Sequence, residues 1–305
     1  MPADAILLVN RSMKNMRLVC LLTCFNRREK TIAAIGALAQ CALPKGLTIS
    51  IILVDDGSAD GTTAAVHKQF PFVQVIAGDG SLYWNGGMRV AFAEAMRQGF
   101  DDYLWLNDDT TLDPTALVQL YNCRAELTIE NGSLDFIVVG ATRDPATGQL
   151  SYGGLVPRDA SSPNFLVTLP VGLLAQRCKT LNGNCVLIPA AVAKILGNLD
   201  GRFVHAIGDW DYGLRATAAG IPVWVASGFV GSCSLNPTYR LRPEIARSIR
   251  LRLRHVCSPK EVPPRAWLTY VRRNYGPTWP IEFMKPYASA VLNALKVKIN
   301  EFKSS

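Results

Sequence analysis

The sequence predicts an α/β fold, a mostly parallel sheet with helices on both faces, and three observations predict it. Apolar runs of strand length alternate with segments of helical spacing over the first part of the chain. Several of those runs end directly in turns dense in Asp and Gly, as expected where parallel strands open onto a ligand-binding edge. With 305 residues, 49% hydrophobic and 18% charged, the chain can bury one large α/β core and still carry an appendage.

An irregular leader precedes the strand Leu18–Thr23. Arg27 to Cys41 has helical spacing through Ile32, Ile35, Leu38 and Ala39. Ile49–Val54 is the second strand; it runs into Asp55-Asp56-Gly57-Ser58, and Asp60 is placed to cap a helix ending near Gln69. Phe72–Ile76 is a third strand, after which the glycine-rich stretch from Gly78 to Gly87 opens an amphipathic helix over Met88 to Gln98. The fourth strand, Tyr103–Leu106, ends in Asn107-Asp108-Asp109, with Pro114 at the first position of the next helix. Beyond Leu127 the pattern changes. Phe136–Ala141, Gln149–Val156, Phe165–Leu169 and Leu181–Ile188 read as strands of a more antiparallel region. Pro189 starts a helix ending near Gly197, Phe203 to Arg215 leads another that stops at Gly220, and Pro222–Ala226 is a last strand. In the tail, Pro243, Pro259, Pro263, Pro264, Pro277 and Pro280 argue against a long regular helix before Pro286.

Composition excludes several classes. Eight cysteines never form a C-x-x-C pair and lie mostly in apolar segments, which speaks against a zinc knuckle or a disulfide framework and for a reducing, cytoplasmic setting. No apolar stretch approaches the roughly 20 residues of a spanning helix. The formal charge of +8 is concentrated in the tail, where Arg240, Arg242, Arg247, Arg250, Arg252 and Arg254 meet few acids. Such a patch attracts polyanions.

Three carboxylate groups occupy comparable places: Asp55 with Asp56, Asp108 with Asp109, and Asp209 with Asp211 at a later helix start. The first two groups open onto the same edge of a parallel sheet. Adjacent carboxylates there repel unless something positive sits beside them, and a hard divalent cation bridging to a diphosphate suits the place. Gly86 and Gly87 add backbone N–H groups at a helix start, which also suit an anion. Asp56 is placed to accept hydrogen bonds from a ribose or a base. Each acid has a plainer reading as a helix cap or turn residue, and Asp209 by itself reads that way as readily as any other.

Taken together, Thr23-Cys24-Phe25-Asn26-Arg27, Val54-Asp55-Asp56-Gly57-Ser58 with Asp60 and Thr62, Asn107-Asp108-Asp109, and Gly208-Asp209-Trp210-Asp211-Tyr212-Gly213-Leu214-Arg215 resemble, in order and spacing, the family 2 glycosyltransferases of the GT-A fold. The resemblance spans roughly Arg17 to Ser232 and takes in bacterial polysaccharide and O-antigen enzymes of the rhamnosyltransferase type. It implies a leader at 1–16, a nucleotide-binding half at 17–128, an acceptor half at 129–232 and a basic, aromatic extension at 233–305. It implies transfer of a sugar, with inversion, from a UDP-, dTDP- or GDP-linked donor to a saccharide or lipid-linked acceptor, assisted by Mg2+ or Mn2+. By position, Thr23 and Asp56 contact the nucleoside, and Asn26, Asp55, Gly86 and Asp108 join the donor site. Asp109 coordinates the metal, with Asn107 in the first place of the Asp-x-Asp box. Asp209 becomes the catalytic base, and Asp211 supports it.

Two departures stand out: Asn107 lacks the charge of an Asp, and Gly208 stands where many relatives carry Glu. Trp84 and Asn85 line the donor pocket or pack the loop. Asn184, His205 and Arg215 are weaker candidates for the acceptor or a phosphate. The interleaved aromatic and basic tail suits the interface of an anionic membrane, so peripheral attachment at the inner face is expected, with no nucleic-acid partner. A nucleotidyltransferase, or a nucleotide-sugar-binding protein with altered catalysis, shares many of these features. A dinucleotide-dependent dehydrogenase does not, because no G-x-G-x-x-G follows the first strand.

Overall fold

The structure, a computed structural model, describes residues 15–160, 163–235, 245 and 248–304. Residues 1–14 of the expected leader, and Arg240, Arg242, Pro243 and Arg247 of the basic tail, lie outside the described residues. The chain divides into two compact units: Met1–Asp200 with Asp209–Leu235, and Gly201–Gly208 with Asn236–Ser305.

In the first unit, β1 (Met16–Cys24), α1 (Arg28–Ala39), β2 (Leu47–Asp55), α2 (Thr62–Gln69), β3 (Gln74–Ala77), α3 (Tyr83–Gln98) and β4 (Asp102–Leu106) alternate. They build a parallel half-sheet in the order β4-β1-β2-β3. The second half follows through β5 (Thr111–Leu112), α4 (Ala116–Asn131), β6 (Ile137–Arg143), β7 (Leu150–Tyr152), β8 (Gly154–Pro157), β9 (Leu166–Thr168), β10 (Gln176–Cys178), β11 (Thr180–Leu181), β12 (Cys185–Pro189), α5 (Ala190–Leu196), α6 (Gly208–Ala218) and β13 (Val223–Ser232). β12 inserts antiparallel between β4 and β6 and joins the halves, while β13 runs parallel to β6. Strands β11, β8 and β9 form a separate small sheet.

Alternation of side chains across the strands explains the two layers. Leu18, Cys20 and Leu22 of β1 face one side, with Ala34, Ile35 and Leu38 of α1, Val66 of α2 and Leu117 and Leu120 of α4. Val19 and Leu21 face the other, with Met88 and Phe92 of α3, Val192 of α5 and Tyr212 of α6. The expected winding of helices on both faces is therefore the observed one.

Several boundaries differ from the sequence expectation. Helix α4 starts at Ala116 rather than Pro114, because Thr111 and Leu112 pair with Ser232 and Gly231 and carry the chain extended past the strand edge. The expected strand Gln149–Val156 divides at Gly153, β7 joining the large sheet and β8 the small one.

The second unit is helical: α7 (Ile249–Val256), α8 (Pro264–Asn274), a 3-10 turn (Gly276–Thr278) and α9 (Trp279–Ser304). As the prolines predict, no long helix precedes Pro286 among the described residues, and several of the prolines start the short ones. Pro263 is the N-cap of α8, Pro264 its first residue, and Pro280 stands in the first turn of α9, where an N–H would have no intrahelical acceptor. Pro286 alone lies inside a helix, at the loss of one backbone hydrogen bond. Trp267 and Tyr270 stack at 5.5 Å, and Tyr270 and Val271 are buried.

At the base of β4, the Arg124 guanidinium donates to the fully buried Asp102 carboxylate at 2.5 Å, and the Tyr121 hydroxyl donates to the same oxygen at 2.8 Å. Burial raises the Asp102 carboxyl, and Arg124 opposes the rise. Removing one partner of a buried pair strands the other charge. Arg124→Ala should therefore cost about 3–5 kcal/mol, read as a lowered urea midpoint, whereas an unchanged midpoint would show that the pair contributes nothing net.

Candidate active site

The C-terminal ends of β1, β2 and β4 bring the predicted carboxylates to one edge, and each is already engaged by the chain. Asp55, at the end of β2, accepts from the Ser58 N–H at 3.0 Å and from the Thr63 hydroxyl. Asp56 accepts from the N–H groups of Gly80 at 2.9 Å, Leu82 at 3.2 Å and Tyr83 at 2.9 Å. This explains why α3 begins at Tyr83 and not at Met88. A carboxylate from another loop satisfies the orphan donors at the helix N-terminus and complements its dipole, so the helix tolerates Gly86 and Gly87 in its opening turns. The anion expected at that helix start is thus supplied first by Asp56 itself.

Asn26 ties the β1 and β2 loops together. Its N–H donates to Ser58 Oγ at 2.8 Å, and its side-chain carbonyl accepts from the Ala59 N–H at 2.8 Å. It adopts φ 51°, a left-handed conformation that Asn tolerates better than most residues. Asp60 is not the N-cap of α2, a place taken by Gly61. It accepts instead from the Thr62 N–H at 3.0 Å and from the Arg28 N–H at 2.9 Å, holding the first turn of α1. Thr23, buried at the end of β1, lies against Gly87, where a Cβ would come within 2.0 Å of the hydroxyl.

The Asn107-Asp108-Asp109 box is spanned by a residue for which the sequence suggested no role. Arg27 Nη1 donates to Asp108 Oδ1 at 2.8 Å and to Asp109 Oδ2 at 2.9 Å, with Lys30 Nζ 3.9 Å from the latter oxygen. Burial pushes Asp108 up to about 6 against the pull of Arg27. Asn107 Oδ1 accepts from the Trp84 indole at 2.7 Å, and Asp109 Oδ1 lies 3.5 Å from the Cys233 thiol. Among the described residues no group of three or more His, Cys, Asp or Glu side chains converges as a ready metal site. The oxygen donors still fit a Mg2+- or Mn2+-like ion: two adjacent carboxylates, with Asp108 Oδ2 buried and unpartnered. Arg27 occupies that place now.

Asp209, in the first turn of α6, accepts from the Gly183 N–H at 2.9 Å and from its neighbour Trp210 N–H at 2.9 Å. Burial pushes its carboxyl up to about 6, and these N–H groups oppose the shift. Gly183 is required by contact, because a Cβ there would meet the Trp84 ring at 2.4 Å. Trp84 therefore touches both Asn107 and the segment that holds Asp209. Beneath it Trp105 packs edge-on at 6.2 Å, with Tyr212 at 4.8 Å from Trp105.

The remaining candidates make contacts of their own within the chain. Asn85 is buried and donates to the Asp200 carbonyl at 3.1 Å. Asn184 accepts on its backbone from the Asn107 N–H at 3.1 Å and aims its side chain at Cys233. Asp211 accepts from Arg215 at 2.9 Å, and Arg215 donates to the carbonyls of Leu196 and Asn198 at 2.7 and 3.0 Å. That pair fastens α6 to the end of α5. His205 belongs to the second unit. Arg27 was legible in the Asn26-Arg27 motif, and the repulsion between Asp108 and Asp109 called for a positive neighbour, but sequence spacing could not say that an arginine eighty residues away supplies it. Nor could it reveal the Trp84 to Asn107 bond.

Residues 20–123, from β1 into α4, match the family model described as glycosyl transferase family 2. The resemblance to family 2 glycosyltransferases is shown. Among curated proteins nothing matches the chain significantly. A mannosyltransferase from Pyrobaculum calidifontis, solved with GDP-Man and Mn2+, superposes with a TM-score of 0.53 at 11% identity, over 99% of this chain and 83% of its own. TarS from S. aureus, solved over residues 1–349 with UDP, superposes with a TM-score of 0.52 at 13% identity, over 84% of this chain and 70% of its own. At these identities the likeness is one of fold, and the fold is GT-A. The family 2 segment contains Asp55, Asp56 and the Asn107–Asp109 box, while Asp209 lies beyond it.

Asp56→Ala should strand the donors at the start of α3 and cost about 1–3 kcal/mol. The expected readout is faster hydrogen exchange at the Leu82 and Tyr83 amides; protection equal to wild type would mean that Asp56 does not hold the helix start.

Proposed function

We propose that the protein is an inverting glycosyltransferase that moves a sugar, of hexose type, from a nucleoside diphosphate donor to a saccharide or lipid-linked saccharide in cell-surface polysaccharide biosynthesis. The observation that carries this reading is that Trp84 bonds Asn107 of the Asn107–Asp109 box and packs on Gly183, whose N–H donates to Asp209, so the box and Asp209 share one wall in a GT-A fold with a family 2 segment. GDP-Man and UDP in the two similar structures support a nucleotide donor.

In the proposed mechanism Asp209 takes the proton of the acceptor hydroxyl as that oxygen attacks the anomeric carbon from the face opposite the diphosphate. A carboxyl near 6 is a serviceable base at neutral pH, ionised in most molecules yet more basic than an exposed Asp. The two N–H groups on its oxygens fix its direction. Trp84, held by Asn107, forms the apolar wall beside which the sugar lies, and Thr23 with Asp56 borders the nucleoside. Mg2+ or Mn2+ would be held by Asp109 with Asp108, and the Asn107 Oδ1, which has a second lone pair beside the one that accepts from the Trp84 indole, would add a neutral donor. Such an ion supplies charge stabilisation to the departing diphosphate. The Cys24 and Cys233 thiols, raised by burial, take no part as nucleophiles.

A place on the inner face of the plasma membrane fits the second unit. Ile281, Met284, Leu292 and Leu295 of α9 are exposed, with Lys285 and Lys296 among them, which suits the interface of an anionic bilayer. No helix of the described residues is long and apolar enough to cross a membrane.

The test is a panel of UDP-, dTDP- and GDP-sugars with Mn2+, read as nucleotide binding and as diphosphate release. One donor should bind and turn over; binding of none would overturn the reading. Asp209→Asn should keep donor affinity and lose about 10²–10⁴ in kcat. Because the base must be ionised, wild-type kcat/KM should be level above about pH 7 and fall about tenfold per unit below 6. A profile flat through pH 5 would remove Asp209 from that role.

A further inference from the structure

Arg27 makes an unusual bond for a structural arginine. A single nitrogen, Nη1, serves both Asp108 and Asp109, and its side chain makes no other hydrogen bond among the described residues. Its side chain is 42% exposed, whereas the guanidinium of the buried Arg124 pair is closed off from water. An end-on, half-exposed bridge of this kind is weak and exchangeable; an arginine is held firmly when its planar fork meets an anion with two parallel bonds. The backbone below it is fixed, since Asn26 is tied on both sides by Ser58 and Ala59 and the Arg27 carbonyl accepts from the Thr31 N–H at 2.9 Å. The side chain is thus the movable part.

Charge makes the same point. Two carboxylates face two cations, Arg27 and Lys30, so the cluster is neutral as it stands. A divalent ion gripping both carboxylates would sit against Arg27, and adding it with Arg27 in place would crowd four positive charges around two negative ones. An open cleft of about 360 Å³ lies beside Arg27, lined also by Asn26, Arg28, Lys30, Glu29 and Asp60; Asp60 is held by the Arg28 N–H and Glu29 by the Arg28 guanidinium, which leaves Arg27 and Lys30 as its cations. A diphosphate there would offer the Arg27 fork a bidentate partner that neither single aspartate oxygen provides.

We propose that Arg27 is a resident counter-cation that competes with a divalent metal ion for Asp108 and Asp109, and that a diphosphate draws Arg27 away and so admits the metal. The diphosphate half rests on the donor-site reading above; the competition does not. The consequence is order: the metal enters with the donor, and the empty enzyme binds it poorly. The coupling is reciprocal, so the metal also tightens the diphosphate.

The experiment is titration of Mn2+ alone, followed by electron paramagnetic resonance, into wild type, Arg27→Gln and Arg27→Lys, repeated with UDP and with GDP. Arg27→Gln should bind Mn2+ without nucleotide about tenfold more tightly than wild type, and Arg27→Lys should stay near wild type. The nucleotide that binds should tighten Mn2+ by about tenfold in wild type and by much less in Arg27→Gln. Equal or weaker Mn2+ binding by a folded Arg27→Gln overturns the proposal, as does the absence of Mn2+ binding to any of the three proteins. Should Arg27→Gln lose its melting transition, Arg27→Lys decides through the nucleotide arm, because lysine keeps the charge but loses the fork. Coupling equal to wild type there refutes the diphosphate half, and reduced coupling supports it. Tighter Mn2+ binding by Arg27→Gln with no response to either nucleotide would sink the donor reading and leave the competition standing.

Discussion

Acidic side chains gathered at one edge of a parallel sheet must be neutralised before any ligand arrives, and the architecture around that edge follows from how the chain does it. Asp55, Asp56 and Asp108 are all nearly buried, where an uncompensated carboxylate would be costly. Each is met by a different device. A turn N–H and a threonine hydroxyl hold Asp55, the opening of α3 holds Asp56, and an arginine from the start of α1 holds Asp108. These devices come from separate loops, so satisfying the acids also stitches the β1, β2 and β3 loops into one rim. The left-handed Asn26 and the close approach of Gly87 to Thr23 are what the stitching demands of the backbone.

This division explains what could be read from the sequence. The strands of the parallel half and their helices were legible because burial on two faces writes a local period into the chain. The carboxylate boxes were legible because their neighbours are sequential. The start of α3 was not, since its stabilising anion stands more than twenty residues upstream and Gly86 and Gly87 locally oppose a helix. The proline-rich tail was legible as far as Pro286, since α7 and α8 are short and only the opening turns of α9 precede it; that α9 continues beyond, with Tyr287 donating to the Val262 carbonyl at 3.0 Å, is a matter of tertiary contact. Arg27 shows the limit most clearly. Its motif was in view, but the choice between a metal ion and a side chain as the neutralising charge is made only by tertiary contact.

The site is also mechanically continuous. Asn107 grips Trp84, Trp84 presses on Gly183, Gly183 donates to Asp209, and the Asn107 N–H donates to the Asn184 carbonyl. The neutral Asn at the first place of the box holds the Trp84 indole without adding a third carboxylate to the crowded edge. Asn107 thereby fixes the Trp84 ring in place.

The same economy sets the proton affinity of Asp209, the proposed base. If Asp209 were exposed its proton affinity would be that of an ordinary carboxylate; if it were buried without partners it would stay protonated at neutral pH. Burial and two backbone N–H groups act in opposite directions and leave it near 6. Those donors come from Gly183 and from the opening turn of α6, and α6 is itself anchored by the Asp211–Arg215 pair to the carbonyls of Leu196 and Asn198. The Asp211–Arg215 pair thus helps to hold Asp209 in place. A loosened α6 would alter the proton affinity of Asp209 as well as its position, since the N–H bonds that orient the carboxylate are the same bonds that keep it ionised.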